Sequence, residues 1–132
     1  VNASANFQLV RCMEPLLKMS DAPRAVFVSS GAAAKATAYA GPYAASKAAL
    51  EALARVWANE TANTPLRVNL FNPGPIRTRM RASLMPGEDP QTLETPDQVA
   101  ELIVPLCLPS WNETGKIYDY KSRTAQSFHR PA

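Results

Sequence analysis

Tyr43 and Lys47 stand four residues apart near the start of GPYAASKAALEALARVWANE, residues 41–60. The stretch is rich in Ala and Leu, both strong helix formers. In a helix, residues i and i+4 share a face and lie ~6 Å apart along the axis. A phenol and an ammonium would therefore project together. A phenol ordinarily gives up its proton near pH ~10, and moving one near neutrality requires roughly 4 kcal/mol of help. One ammonium at ~4 Å, at an effective dielectric of ~20, supplies about that much. The pair has the makings of a proton-transfer device. Taken alone, the spacing equally fits a surface tyrosine lying along a lysine stem.

The elements around the pair decide between these readings. Residues 3–19 place Phe7, Val10, Met13 or Glu14, and Leu17 at helical spacing, with Pro15 as a possible kink. Residues 25–30, AVFVSS, form a short apolar, β-branched run of the kind buried on both faces of a parallel sheet. Residues 31–41 read as a small-residue loop, and 43–61 as a helix. Residues 66–73 read as a second buried strand, stopped by Pro73-Gly74. Residues 79–94 show no clean period and are expected to be a long mobile loop with room for a short helix. Thr95 and Pro96 give an N-cap and first-turn signal for another helix. Residues 115–120 read as a third strand, and the polar last dozen as frayed. Helices alternating with three strands predict an α/β fold with a parallel sheet and right-handed crossovers.

In such a sheet, ligands bind beyond the carboxyl ends of the strands. Ser30 ends the first strand there, and NPGPIRT, residues 72–78, follows the second at the same edge. Asn2, ahead of the first helix, carries an amide that could reach the same crevice. Ser29 is the rival hydroxyl. Tyr39 has Tyr43 rather than Lys four residues on, and Tyr118 and Tyr120 follow an apolar stretch as structural residues would.

At this point the chain resembles the short-chain dehydrogenases/reductases. YAASK, Tyr43 to Lys47, matches the family's Tyr-x-x-x-Lys; Ser30 stands thirteen positions before the tyrosine, in the usual Ser-Ser; Asn2 stands twenty-eight before Ser30, in a Val-Asn; and Pro73, Gly74 and Thr78 match the Pro-Gly-x-x-x-Thr beside the nicotinamide. The resemblance covers nearly the whole chain and is nearest to a bacterial branch of oxidoreductases. It implies the catalytic, C-terminal half of a doubly wound, Rossmann-like parallel sheet. It also implies roles: Tyr43 as general acid/base in hydride transfer between NAD or NADP, the latter slightly favoured, and a carbonyl or alcohol; Lys47 as its activator and ribose contact; Ser30 as holder of the substrate oxygen; Asn2 as anchor of a relay water. Pro73, Gly74, Ile76 and Thr78 would line the nicotinamide, and residues 79–94 would form a substrate lid. Met80, Leu84 and Met85 fit an apolar substrate wall or simple lid packing. In the family the helix bearing the tyrosine commonly builds a homodimer or homotetramer, and Ala45, Ala48, Ala49 and Ala52 would allow close approach.

Composition narrows the rest. At 132 residues and 46% hydrophobic, the chain is sized for one domain with a core. No apolar run approaches the ~20 residues that span a bilayer, and no leader is visible, so a cytoplasmic protein with no membrane partner is expected. The net charge of +3 is mild, and Arg77, Arg79 and Arg81 read as a solvated loop or a greeting for an acidic substrate. No aromatic-plus-basic platform supports nucleic-acid binding, and no ligand cluster supports a metal. Cys12 and Cys107 read as free thiols, and His129 as surface. The five glycines, at 31, 41, 74, 87 and 115, form no Gly-x-Gly, so the phosphate-cradling turn of a dinucleotide fold is missing. Residues 1–132 are thus expected to be a single partial domain, the N-terminal Gly-rich half absent, and inactive in isolation. A non-catalytic scaffold of the same fold, or an inactive fragment, is the alternative to an oxidoreductase.

Overall fold

The computed structural model describes residues 1–36 and 38–128. His129 lies outside them. In chain order the elements are α1 (Ser4–Leu17), β1 (Arg24–Val28), α2 (Ala32–Lys35), α3 (Gly41–Glu60), β2 (Arg67–Asn72), α4 (Arg79–Leu84), α5 (Pro96–Ile103), β3 (Lys116–Asp119) and β4 (Thr124–Ser127). Short 3₁₀ turns lie at Pro90–Thr92 and Val104–Cys107. The strands stand in the order β1-β2-β3-β4; β1, β2 and β3 are parallel and β4 is antiparallel to β3.

The α/β architecture is the one the alternating pattern predicts, with two corrections: among the described residues the sheet has four strands, not three, the fourth antiparallel to its neighbour, and residues 32–35, within the stretch read as loop, form the short helix α2. Residues 124–127 were expected to be frayed, because TAQS is polar and carries no burial pattern. In the fold all four are exposed, and the strand is held by its ladder to β3, after a turn in which Arg123 takes φ +56°.

Two apolar layers sandwich the sheet. On one face, Ala54, Trp57 and Ala58 of α3 pack on Val68 and Leu70, with Val10 and Leu17 of α1 and Ala25 and Phe27 of β1 leaning in. On the other, Phe71 meets Val99 of α5 and Leu106. β2 is the buried middle: Val68, Asn69, Leu70 and Phe71 are all at most 1% exposed, as a strand covered on both faces requires. Each such apolar side chain contributes roughly 1.5–3 kcal/mol. β1 is an edge strand, and α1 has no fully buried residue although Phe7, Leu9 and Leu16 are apolar.

One polar residue sits inside this core for a reason. Asn69 donates from its amide to the Glu113 carbonyl (2.9 Å) and accepts from the Lys116 amide (3.1 Å), stitching β2 to the approach to β3. α5 starts as its sequence predicts, with Thr95 and Gln98 forming a capping box. It ends in a 3₁₀ turn where Pro105 has no N–H to continue the ladder. At the carboxyl edge of the sheet, Asp119 accepts from the Asn72 amide (2.7 Å) and from the Ser122 backbone (2.9 Å) and hydroxyl (3.0 Å). Burial pushes the Asp119 carboxyl up, but these donors outweigh it and hold the group below the usual carboxylate range.

Asn69→Ala removes two hydrogen bonds, to the exposed Glu113 and the half-buried Lys116, and a loss of roughly 2 kcal/mol in denaturant unfolding is expected, against about 1 kcal/mol for Thr95→Ala at its exposed cap. Because the folded-state value of Asp119 is depressed, its contribution is present above about pH 4 and is lost as pH falls through the folded value. Asp119→Asn is expected to flatten the decline of the unfolding midpoint below that pH, and an unchanged slope would refute the assignment.

Candidate active site

The parallel pairing of β1 and β2 brings their carboxyl ends to one edge, with Val28 opposite Phe71. Just beyond, the Ser29 amide donates to the Phe71 carbonyl (2.8 Å), carrying the ladder one residue past the strand. Ser29 is buried and its hydroxyl donates to the Glu51 carboxylate (2.5 Å). The two candidate serines are thereby separated: Ser29 faces the protein, whereas Ser30 is half-buried and outside the ladder. The Ser30 hydroxyl accepts from the Ala32 amide (3.2 Å), and its carbonyl from the Ala33 amide (3.0 Å), which turns the chain into α2.

α3 opens without a side-chain cap, with Pro in its first turn. Tyr43 is half-buried there. One turn on, the Lys47 ammonium donates to the Val28 carbonyl (2.9 Å), two residues from Ser30. Asn2 reaches the same turn from the other side. Its amide donates to the Ser46 hydroxyl (3.0 Å), which donates to the Tyr43 carbonyl (2.8 Å). Asn2 is thus tied through Ser46 to the backbone of the turn bearing Tyr43, and Lys47 on the next turn is tied through Val28 to the tip carrying Ser30.

The loop after β2 borders this tip. A Cβ built on Gly31 would lie 3.7 Å from the Asn72 amide nitrogen, so the two loops touch. Asn72 accepts from the Gly74 amide (3.2 Å) through its side-chain oxygen, an Asx turn that sets Pro73-Gly74, while its own amide is held by Asp119. Gly74 has φ +68°, a conformation that favours glycine, and open space where a side chain would stand. Ile76 bridges to Glu94, and Thr78 caps α4 by accepting from the Arg81 amide (3.2 Å). Thr78 therefore has a structural duty besides any ligand contact.

Residues 79–94 are more ordered than the absence of a period suggests. Arg77 donates to the carbonyls of Pro90 (2.8 Å) and Leu93 (3.2 Å), and Arg81 makes a two-pronged pair with Glu88 (2.6 and 2.8 Å). The expectation of a solvated arginine run fails for these two, because each folds back on its own loop; Arg79 is exposed. Met80, Leu84 and Met85 are exposed on this segment. Among the other tyrosines, Tyr39 is fully exposed, and Tyr120 is buried beneath the Arg123 guanidinium (4.3 Å). Tyr118 donates to Glu113 (2.9 Å), and burial together with that carboxylate pushes its phenol above the ordinary range, away from use as an acid near neutrality. Cys12 and Cys107 are free and exposed. No helix among the described residues is long and apolar enough to cross a membrane.

Four residues of this edge, Ser46, Glu51, Asn72 and Asp119, were not singled out from the sequence. Asn72 preceding Pro-Gly was a legible turn signal, and Glu51 falls at i+4 from Lys47; neither spacing says which strand it meets.

The family model for short chain dehydrogenases matches residues 1–89. The oxidoreductase YciK of Escherichia coli K12 is 45% identical over 120 residues, covering 90% of this chain and 47% of that protein. A short chain dehydrogenase structure from Salmonella enterica serovar Typhi superposes with a TM-score of 0.85 at 45% identity, covering 90% of this chain and 49% of the other. One from Escherichia coli CFT073, complexed with NADPH, gives a TM-score of 0.85 at 45% identity, with 90% and 50% coverage. The chain spans about half the length of the relatives it matches. With the family model matching residues 1–89 and 90% of its length aligned at 45% identity to YciK, the chain belongs to the short-chain dehydrogenase family.

Proposed function

We propose that this chain is the catalytic half of a longer NAD(P)-dependent oxidoreductase that interconverts a carbonyl and an alcohol. The observation that carries the proposal is that Lys47, one turn beyond Tyr43, is bonded to the Val28 carbonyl two residues before Ser30, while Asn2 is bonded through Ser46 to the turn that bears Tyr43. Two of the family's structures, from Escherichia coli and Shigella flexneri, hold NADPH and NADP, which favours NADP here. The residues present fit the nicotinamide end of such a cofactor: Gly74 leaves open space where a side chain would stand, and Lys47 places an ammonium at the β1 tip. Pro73, Gly74, Ile76 and Thr78 would line the ring, and Lys47 would meet the ribose. When bound, the cofactor supplies or accepts a hydride at the substrate carbon. Tyr43 donates its hydroxyl proton to the substrate oxygen, or accepts one in the reverse direction. Lys47 stabilises the phenolate left behind. Ser30 donates a hydrogen bond to the oxygen as charge develops. Asn2 anchors the water through which the proton is replaced.

The phosphate-cradling turn is assigned to a preceding segment. α1 and α3 lie on the same face of the sheet, and β2 follows α3 to one side of β1. Right-handed crossovers then put the strand that feeds α1 on the other side, against the free edge of β1. An apolar groove lined by Leu9, Met13, Phe27 and Trp57 runs along that boundary. The assembly is proposed to be a homodimer or homotetramer through α3, where Ala45, Ala48, Ala49 and Ala52 are exposed. A cytoplasmic setting suits two exposed free thiols.

Screening carbonyl compounds for NADPH oxidation by the complete protein tests the reaction. Tyr43→Phe is expected to lower kcat by roughly 10²–10⁴ while leaving NADPH fluorescence binding unchanged; retained turnover would overturn the role. The isolated 132 residues are expected to show no turnover. Sedimentation of the complete protein as a monomer alone would overturn the proposed assembly.

A further inference from the structure

Glu51 is the one buried carboxylate of α3, 8% exposed, and the proposed chemistry does not use it. It lies at i+4 from Lys47 and i+8 from Tyr43, so the three follow one line along the helix. One of its oxygens accepts from the buried Ser29 hydroxyl (2.5 Å), and the other from the Arg55 guanidinium (3.3 Å), which is about half exposed. Ser29 is then held at two points, by its hydroxyl to α3 and by its amide to the Phe71 carbonyl (2.8 Å) of β2. The next residue is Ser30. Lys47 makes the neighbouring rung, to Val28 (2.9 Å). Two rungs on consecutive turns of α3 thus lie against the last residues of β1, one on each side of the point where the strand gives way to the site.

A buried carboxylate is a costly way to hold a helix on a strand. An apolar pair of the same volume is often as stabilising or more so. What the carboxylate adds is direction: a short, charge-assisted bond fixes the Ser29 backbone more tightly than packing can. We infer that Glu51 is a positioning residue, which through Ser29 sets where the Ser30 hydroxyl stands relative to Tyr43. This rests on the functional reading above for its catalytic meaning, but not for its structural one.

The test separates stability from position. In the complete protein, Glu51→Met with Ser29→Ala removes both partners and leaves no unpaired buried group. Its unfolding midpoint and NADPH affinity are expected to match the wild type. Amide exchange of residues 30–34 is expected to accelerate about tenfold, since the β1 tip can then open locally. With the best carbonyl substrate of the screen, kcat is expected to fall by up to roughly a hundredfold, the scale of a 1 Å misplacement. Glu51→Gln keeps an acceptor for Ser29 and is expected to recover most of that loss, whereas Glu51→Ala is not. Unchanged exchange at residues 30–34 would overturn the inference whatever the reaction. Faster exchange with unchanged kcat would also overturn it, provided Tyr43→Phe abolishes turnover in the same preparation. If Tyr43→Phe is active too, the functional reading has failed rather than the clamp.

Discussion

The site depends on how α3 is laid against the end of β1. The apolar face of α3, Trp57, Ala54 and Ala58, packs it on the sheet but supplies no directional bond. The Lys47 bond to the Val28 carbonyl and the Glu51 bond to the Ser29 hydroxyl fix the helix more closely, because each ties a named turn of it to a named residue at the end of β1 or just beyond. Tyr43 is then placed by rigid extension from the helix it begins. On its far side, Asn2 and Ser46 close the first turn against the start of α1.

The second loop is fixed by similar means. Asp119 ends β3, holds the Asn72 amide, and leaves the Asn72 oxygen for the Gly74 amide. A hydrogen-bonded carboxylate therefore stands beneath each of the two loops: buried Glu51 under the serine tip and half-buried Asp119 under Pro73-Gly74. In both cases the residue proposed to face the ligand is one or two positions beyond the residue that is anchored. Ser29 and Asn72 thus carry structural bonds beside Ser30 and Gly74, whereas Lys47, Asn2 and Thr78 make structural bonds themselves.

The sequence showed the fold where periodicity and chemistry agreed. The apolar β-branched runs at 25–30 and 66–73 became β1 and β2 within two residues at each end, and Thr95-Pro96 started α5 as its cap signal indicates. It was silent where only pairing decides. Residues 124–127 have no burial pattern, since their strand is formed by ladder bonds alone. Residues 79–94 looked mobile because their order comes from Arg77 and Arg81 reaching local carbonyls and Glu88, contacts with no fixed sequence period. At the candidate site, Tyr43 and Lys47 were legible because their i, i+4 spacing on one helix is local. Glu51, Ser46 and Asp119 were not, because each gains its meaning from a partner far along the chain.

The most direct measurement is a crystal structure of the complete protein with NADPH and a carbonyl inhibitor. The account expects the Tyr43 and Ser30 hydroxyls to lie within ~3 Å of a single inhibitor oxygen, with Glu51 still bonded to Ser29. A Tyr43 hydroxyl turned into a different cleft from Ser30, with the clamp intact, would contradict it.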